Sequence, residues 1–253
     1  MLKDTWRIWD NDLKYGDLLF RRATGEAEEM ESSKSLCEAL KPIYRPGMKV
    51  LDVGCGAGHY LLSLRKRLDP KISYTGLDAT AYYVSLAQKA FPGVGFVQGD
   101  ILKLPFWDGA FDLVICNNVI LHLPPPPTKA FSELIRVSKK HTVIRTMFGV
   151  RNYIIREVGI AEELPGLPEN EADLIGPDGE PAMFNYFNLY SERYVRSVVA
   201  RLSPESRVRI ESDTRFQSFD NRKEGGVSGT VVINGQQIAG NVIVDSRFIF
   251  IAK

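Results

Sequence analysis

Cysteine and histidine are scarce, with three of each in 253 residues. Cys37, Cys55 and Cys116 are an odd count at wide spacing, which excludes a disulfide framework and the paired spacing of a zinc site. His59, His122 and His141 form no metal-ligand spacing either, so no metal is expected. Unpaired thiols belong in a reducing compartment, and the expected location is the cytoplasm. An excess of one charge is also missing. Lys and Arg number 32 and Asp and Glu 31, a net charge of +1, so there is no electrostatic footprint for nucleic acid and no such partner is expected. Long apolar runs are absent. The longest apolar stretch, at 111–123, is broken by Asp112, Asn117, Asn118 and His122 and is too short and polar to span a bilayer. Met1 to Asp12 holds no apolar signal core. The expectation is a protein without a membrane partner. Nothing in the sequence sets its oligomeric state.

What is present is an ordinary globular composition, 44% hydrophobic and 25% charged. The length suits one α/β domain with embellishments over 1–253. Residues 1–44 read as an N-terminal helical cap, rich in aromatics (Trp6, Trp9, Tyr15, Phe20) and including a helix over Met30–Leu40 with a capping-box pattern at Ser35 and Glu38. In the core, 45–148, strands are expected at Lys49–Val53, Ile72–Leu77, Val94–Val97, Phe111–Cys116 and His141–Met147. Helices are expected at Leu61–Leu68, Thr80–Ala90 and Thr128–Ser138. This alternation predicts parallel strands with helices on both faces, and ligands beyond the carboxyl ends of the strands. Residues 149–190 form an insertion whose stretch Leu164–Pro181 has no clear period. Residues 191–253 complete the sheet. Ser191 caps a helix through Leu202, strands lie at Arg207–Glu211 and Phe248–Ala252, and Asn234-Gly235 signals a hairpin within Thr230–Val244. Two antiparallel strands are expected to close this end.

The central motif is Asp52-Val53-Gly54-Cys55-Gly56-Ala57-Gly58. Glycines after a first strand let a ligand approach the backbone and open a helix whose amides face it. A dinucleotide fingerprint needs a third glycine at position 59, which is His59. Asp52 would repel a pyrophosphate and welcome an ammonium or sulfonium. Asp78 ends the second strand, where a carboxylate accepts from ribose hydroxyls or caps the following helix. Asp100, after the third strand, suits an adenine amino group, with Ile101 packing on the ring, or serves as a turn acid. Three acids thus end three successive strands.

VLDVGCGAGHY, then GLDAT, then GDILKLPFWDGAFDLVICNNVILH, resemble the class I S-adenosylmethionine-dependent methyltransferases, in particular the small-molecule, type 11/25-like branch. The resemblance covers about 45–148. It implies a doubly wound, Rossmann-like α/β sheet of seven strands, mostly parallel with the last antiparallel, and the cofactor S-adenosylmethionine with S-adenosylhomocysteine as product. Asp52, Gly54, Gly56 and Gly58 are implied around the methionine part, Asp78 at the ribose, and Ala79 and Ile101 beside the adenine with Asp100 at its amino group. Asn117 is implied to offer its carbonyl to the ammonium. The family's Pro-Gly-Gly turn before the fifth strand is replaced by Ser138-Lys139-Lys140-His141, which blurs that strand's start.

Methyl transfer needs alignment of the two reactants and exclusion of water, and a base where the acceptor is protonated. His122, after the fourth strand, is the candidate base; holding the Pro-rich turn is its other reading. His59 and His141 read as structural. Tyr15, with Trp6 and Trp9, is a candidate lid over the cofactor. Tyr153, Tyr186 and Tyr190, with Asn185 and Asn188, are candidate substrate residues or core. The acceptor is expected to be a small molecule with an oxygen, nitrogen or carbon nucleophile. The competing classes are an NAD-dependent oxidoreductase, a non-catalytic cofactor-binding module and an RNA methyltransferase. Asp52 and His59 count against the first, the three acids against the second, and the charge balance and Asn117-Asn118-Val119-Ile120 against the third.

Overall fold

The strands at the centre of the chain are apolar on both faces, so each must be covered twice. In the computed structural model, which describes residues 8–10, 12–158, 170–181, 183–213, 230–233, 236–239 and 242–253, they are. The elements run α1 (Leu13–Thr24), α2 (Glu31–Leu40), β1 (Lys49–Val53), α3 (His59–Arg67), β2 (Ser73–Asp78), α4 (Ala81–Ala90), β3 (Gly95–Gln98) and β4 (Phe111–Asn117). They continue through α5 (Thr128–Val137), β5 (Ser138–Phe148), β6 (Arg156–Val158), β7 (Phe184–Tyr186), α6 (Glu192–Leu202), β8 (Arg207–Ser212), β9 (Thr230–Ile233), β10 (Gln236–Ala239) and β11 (Val242–Ala252). Among the described residues the main sheet has nine strands, in the order β3-β2-β1-β4-β5-β11-β10-β9 with β8 also paired to β11; seven of them, β3-β2-β1-β4-β5-β11-β8, form its body. β3, β2, β1, β4 and β5 are parallel. β11 runs antiparallel to both β5 and β8, so only this last strand is reversed among the seven. The expected pair of antiparallel strands at this end is β11 and β8, which run antiparallel to each other, so that β8 points the same way as β5.

Alternation along the strands splits the core in two. Val114, Cys116, Ile249 and Ile251 pack with Phe131 and Leu134 of α5 and Val195 and Val198 of α6. Leu113, Ile115, Phe248 and Phe250 pack with Leu36 and Leu40 of α2 and Leu61 and Leu64 of α3. Leu113, Val114 and Ile115 are fully buried, each worth about 1.5–3 kcal/mol of hydrophobic stabilisation.

α1 starts at Asp12, whose carboxylate accepts from the Tyr15 amide at 2.8 Å, and ends at Gly25 with φ 80°. It lies across α4 at Gly16, where a Cβ would stand 2.7 Å from the Tyr83 ring. α2 begins at Glu31 with no side-chain cap. The Ser35–Glu38 capping box is therefore not formed; Ser35 is buried within the helix and donates its hydroxyl to Asp213. β5 begins at Ser138, three residues before the expected start, because Ser138 is already extended (φ −83°, ψ 134°) as it leaves α5. A register shift between Phe111 and Leu113 absorbs the departure. β9 and β10 pair antiparallel, Ile233 opposite Gln236, and β10 pairs with the start of β11. The Asn234-Gly235 turn itself lies outside the described residues, as do Trp6 and 159–169 of the insertion. The rest of the insertion carries β6 and β7, paired antiparallel and too short to show a period in sequence. It is fastened beside β4 by Asn188, whose amide and side chain donate to the carbonyls of Leu121 and Leu123, both at 2.8 Å.

Candidate cofactor and active site

The glycine loop leaves β1 with Gly54, Gly56 and Gly58 all left-handed, at φ 77°, 55° and 81°. Side chains are excluded there. A Cβ on Gly54 would meet Val119 Cγ2 at 2.2 Å, and one on Gly56 would meet Leu19 Cδ1 at 2.8 Å. The loop is held from the end of β2. The amides of Gly54 and Cys55 donate to the Leu77 carbonyl at 2.7 and 3.1 Å, and the Gly56 amide donates to Asp78 Oδ2 at 2.8 Å. A cavity of about 210 Å³ opens beyond these strand ends.

Gly54, Gly56, Asp78, Ala79, Asp100 and Ile101 all line it. Asp78 also caps α4 through Oδ1, which accepts from the Thr80 amide at 2.9 Å. Asp100 also closes its turn, accepting from the Leu102 amide at 2.8 Å. The capping and ligand readings of these acids are compatible, because each carboxylate keeps unused lone pairs. Asp10 joins them, accepting from the Thr80 hydroxyl at 3.1 Å. Asn117 lines the cavity and is buried, and neither atom of its side-chain amide has a partner among the described residues.

Two expected residues stand behind the loop instead. Asp52 does not line the cavity. Strand alternation turns it away from Val53, which does, and the Tyr74 hydroxyl donates to its Oδ2 at 2.7 Å. Burial, with the Asp78 charge nearby, pushes the Asp52 carboxyl up to about 7 against the opposing Tyr74 hydrogen bond. Gly58 is the first residue before α3 and faces Phe91 and Phe96, where a Cβ would stand 3.1 and 3.2 Å away.

His122 sits on a 3-10 turn at Ile120–His122 and lines the cavity. Its Nδ1 lies 2.9 Å from both Asn185 Oδ1 and the Tyr186 carbonyl. A carbonyl only accepts, so Nδ1 carries the hydrogen and Nε2 the lone pair. Burial lowers the pKa and keeps the ring neutral. Tyr186 thus reaches the site through its carbonyl. Tyr190 is core, 3% exposed and stacked on Tyr194. Tyr153 is 42% exposed, pairs with Leu189 and does not line the cavity. Both substrate expectations are corrected: neither side chain lines the cavity, Tyr190 packing in the core and Tyr153 holding the insertion through its backbone. Tyr15 does line the cavity, with Leu19 one turn along α1, and Trp9 packs between the rings of Tyr15 and His122, 5.6 and 5.0 Å away.

His59 and Asn118 were not expected here. His59 lines the cavity with a buried Nδ1 that has no partner among the described residues, and burial plus the positive charge of Arg22 drive its pKa down to about 3. Its position right after the glycine motif was the available signal. Among the described residues, no helix is long and apolar enough to cross a membrane, and no group of three or more His, Cys, Asp or Glu is placed to share a metal.

Fold and site together define a class: Rossmann-like α/β proteins that take a ligand over a glycine loop and an acid at the end of the second strand. Within it, the methyltransferase domain family matches residues 45–175, more than half of the chain, and the chain belongs to that family. It is 36% identical over 107 residues to cycloartenol-C-24-methyltransferase 1 of Oryza sativa subsp. japonica, covering 40% of this chain and 30% of that one. It is 40% identical over 156 residues to the phthiotriol/phenolphthiotriol dimycocerosates methyltransferase of Mycobacterium leprae, covering 54% and 57%. The chain thus spans less than two thirds of the length of these curated relatives. Among solved structures, magnesium protoporphyrin IX methyltransferase from Synechocystis PCC 6803 with bound SAM superposes at a TM-score of 0.56, covering 100% of this chain and 98% of that one at 16% identity. That likeness is one of fold.

Proposed function

We propose that this protein is a cytoplasmic S-adenosylmethionine-dependent methyltransferase acting on a small molecule. The observation that carries the reading is one cavity in which the glycine loop, Asp78, Asp100 and the orphaned Asn117 amide converge. These residues fit the cofactor. Asp78 would accept from the ribose hydroxyls and Asp100 from the adenine amino group, while Ala79 and Ile101 would flank the ring. Gly54 and Gly56 would let the methionine part approach, and Asn117 would offer its polar end a carbonyl and an amide. Asp52 and Gly58 shape the loop from behind. When bound, the cofactor supplies a methyl group on a positively charged sulfur and leaves as S-adenosylhomocysteine.

The chain aligns and shields the transfer, an effect worth roughly 7–11 kcal/mol when alignment is good. Trp9 and Tyr15 exclude water. His122, neutral and with Nε2 unprotonated, takes the proton of an oxygen or nitrogen acceptor. The walls next to it, Val119 and Leu123, are apolar and suit an apolar acceptor body. The relatives are named for cycloartenol and phthiotriol dimycocerosates, not for a nucleic acid. Three buried free cysteines accord with a reducing compartment.

Calorimetry with S-adenosylhomocysteine and with NAD tests the reading. Micromolar binding of the first and none of the second is expected. NAD binding with no response to S-adenosylhomocysteine overturns it in favour of an oxidoreductase. With an acceptor in hand, His122→Asn should lower turnover by about 10²-fold or more at unchanged cofactor affinity.

A further inference from the structure

A buried ion pair stands behind the cavity. Arg145 of β5 and Asp213, which follows β8, are each 2% exposed, with Nε 2.7 Å from Oδ2. Asp213 also accepts the Ser35 hydroxyl from α2, and its amide donates to the Ser246 carbonyl of β11 at 2.8 Å. The other end of the pair reaches the cavity wall. Arg145 Nη1 donates to Asn118 Oδ1 at 2.5 Å, and the Asn118 amide donates to the Arg145 carbonyl at 2.9 Å. One residue therefore grips Asn118 by its side chain and by its backbone. Asn118 is, among the described residues, the one non-glycine residue with a left-handed φ, 56°. Such a conformation persists where its surroundings hold it. Its neighbours show why it matters. Asn117 lines the cavity with its buried side-chain amide unpartnered among the described residues, and Val119 fills the space that a Gly54 side chain would take.

We propose that Arg145 and Asp213 are positioning residues for the cofactor. They hold Asn118 left-handed, and Asn118 in turn aims Asn117 into the cavity and seats Val119 on the glycine loop. This rests on the reading of the cavity as the cofactor site. The alternative is that the pair only ties α2, β5 and β8 together. Replacing a buried ion pair by uncharged groups is often neutral for stability, so the two roles separate experimentally.

The test is calorimetric titration of the full chain with S-adenosylhomocysteine, alongside thermal unfolding. Arg145→Met with Asp213→Asn removes both charges together and leaves Ser35 an acceptor. Binding at least 10-fold weaker is expected, with a melting temperature near that of the unaltered protein. Adding Asn118→Gly, which adopts the left-handed backbone without strain, should recover most of that affinity. A melting shift with affinity held within twofold overturns the proposal, and so does a loss that Asn118→Gly fails to recover. If the double variant does not fold, Asn118→Ala and Asn118→Gly alone decide. Alanine should bind at least fivefold more weakly than glycine, and equal affinities overturn the proposal. Unaltered protein that does not bind S-adenosylhomocysteine defeats the reading of the cavity, and this inference with it. Unaltered protein that binds, with variants that bind equally well, defeats this inference alone.

Discussion

Asp52 and Asp78 end neighbouring strands but meet different surroundings. Asp78 receives two backbone amides at the cavity, whereas Asp52 is 1% exposed with one oxygen unpartnered. Burial raises the Asp52 carboxyl to about 7 from an ordinary 3.8. An acid whose folded pKa is raised favours the folded state fully below its unfolded pKa, and that contribution is lost as pH rises through the folded value. In the ligand-free protein, stability from this group should fall between about pH 4 and 7. Asp52→Asn can still accept from Tyr74 but carries no charge. It should be more stable than the unaltered protein at pH 8 by about 2–4 kcal/mol, since each tenfold change in proton affinity is worth about 1.36 kcal/mol. At pH 4 that advantage should vanish. Urea unfolding at the two pH values checks this. A stability difference that does not change with pH would show that Asp52 stays ionised through another partner.

At the scale of an element, α1 is the part best placed to move. Tyr15 and Leu19 of one face line the cavity, while Gly16 lets the helix sit on the Tyr83 ring. The cavity, about 210 Å³, falls below the ≈ 300–1,000 Å³ of ordinary ligand sites, and we propose that α1 and Trp9 shift to admit the cofactor. They then close over it, as lids do. Hydrogen exchange should show added protection over Leu13–Thr24 with S-adenosylhomocysteine, while β4 stays protected throughout. Unchanged exchange in α1 would make it a fixed wall.

Across the whole molecule, two cores sandwich one sheet, and all three thiols are buried in the cores: Cys116 in one, Cys37 and Cys55 in the other. Burial raises the pKa of each, Cys37 to about 12, so the reactive thiolate is suppressed in the native state. Labelling by a thiol reagent should therefore require global opening. S-adenosylhomocysteine at 100 times its dissociation constant stabilises the native state by about 2.7 kcal/mol and should slow labelling about 100-fold. Rapid labelling of the native protein, or no slowing by ligand, would mean that the thiols are reached by local opening.

By itself, the sequence determined β1 to β5, α3 to α5, the glycine loop and the three acids at strand ends. Apolar runs, caps and glycines act within a few residues, so they are visible in one stretch of chain. Ser191 was legible as a cap for the same reason, and its hydroxyl accepts from the Tyr194 amide. Asp52 was misplaced because a one-residue motif position does not say which face of β1 meets the ligand. Tyr153 and Tyr190 were misplaced because their pairing with Leu189 and stacking on Tyr194 depend on how the insertion folds back. Only the tertiary structure decided that β11 slots between β5 and β8. It also brought Asn185 and Tyr186 to His122 across more than 60 residues, and Asp213 to Arg145 across 68. Such contacts arise from chain segments meeting over the sheet, and no local pattern encodes where they meet.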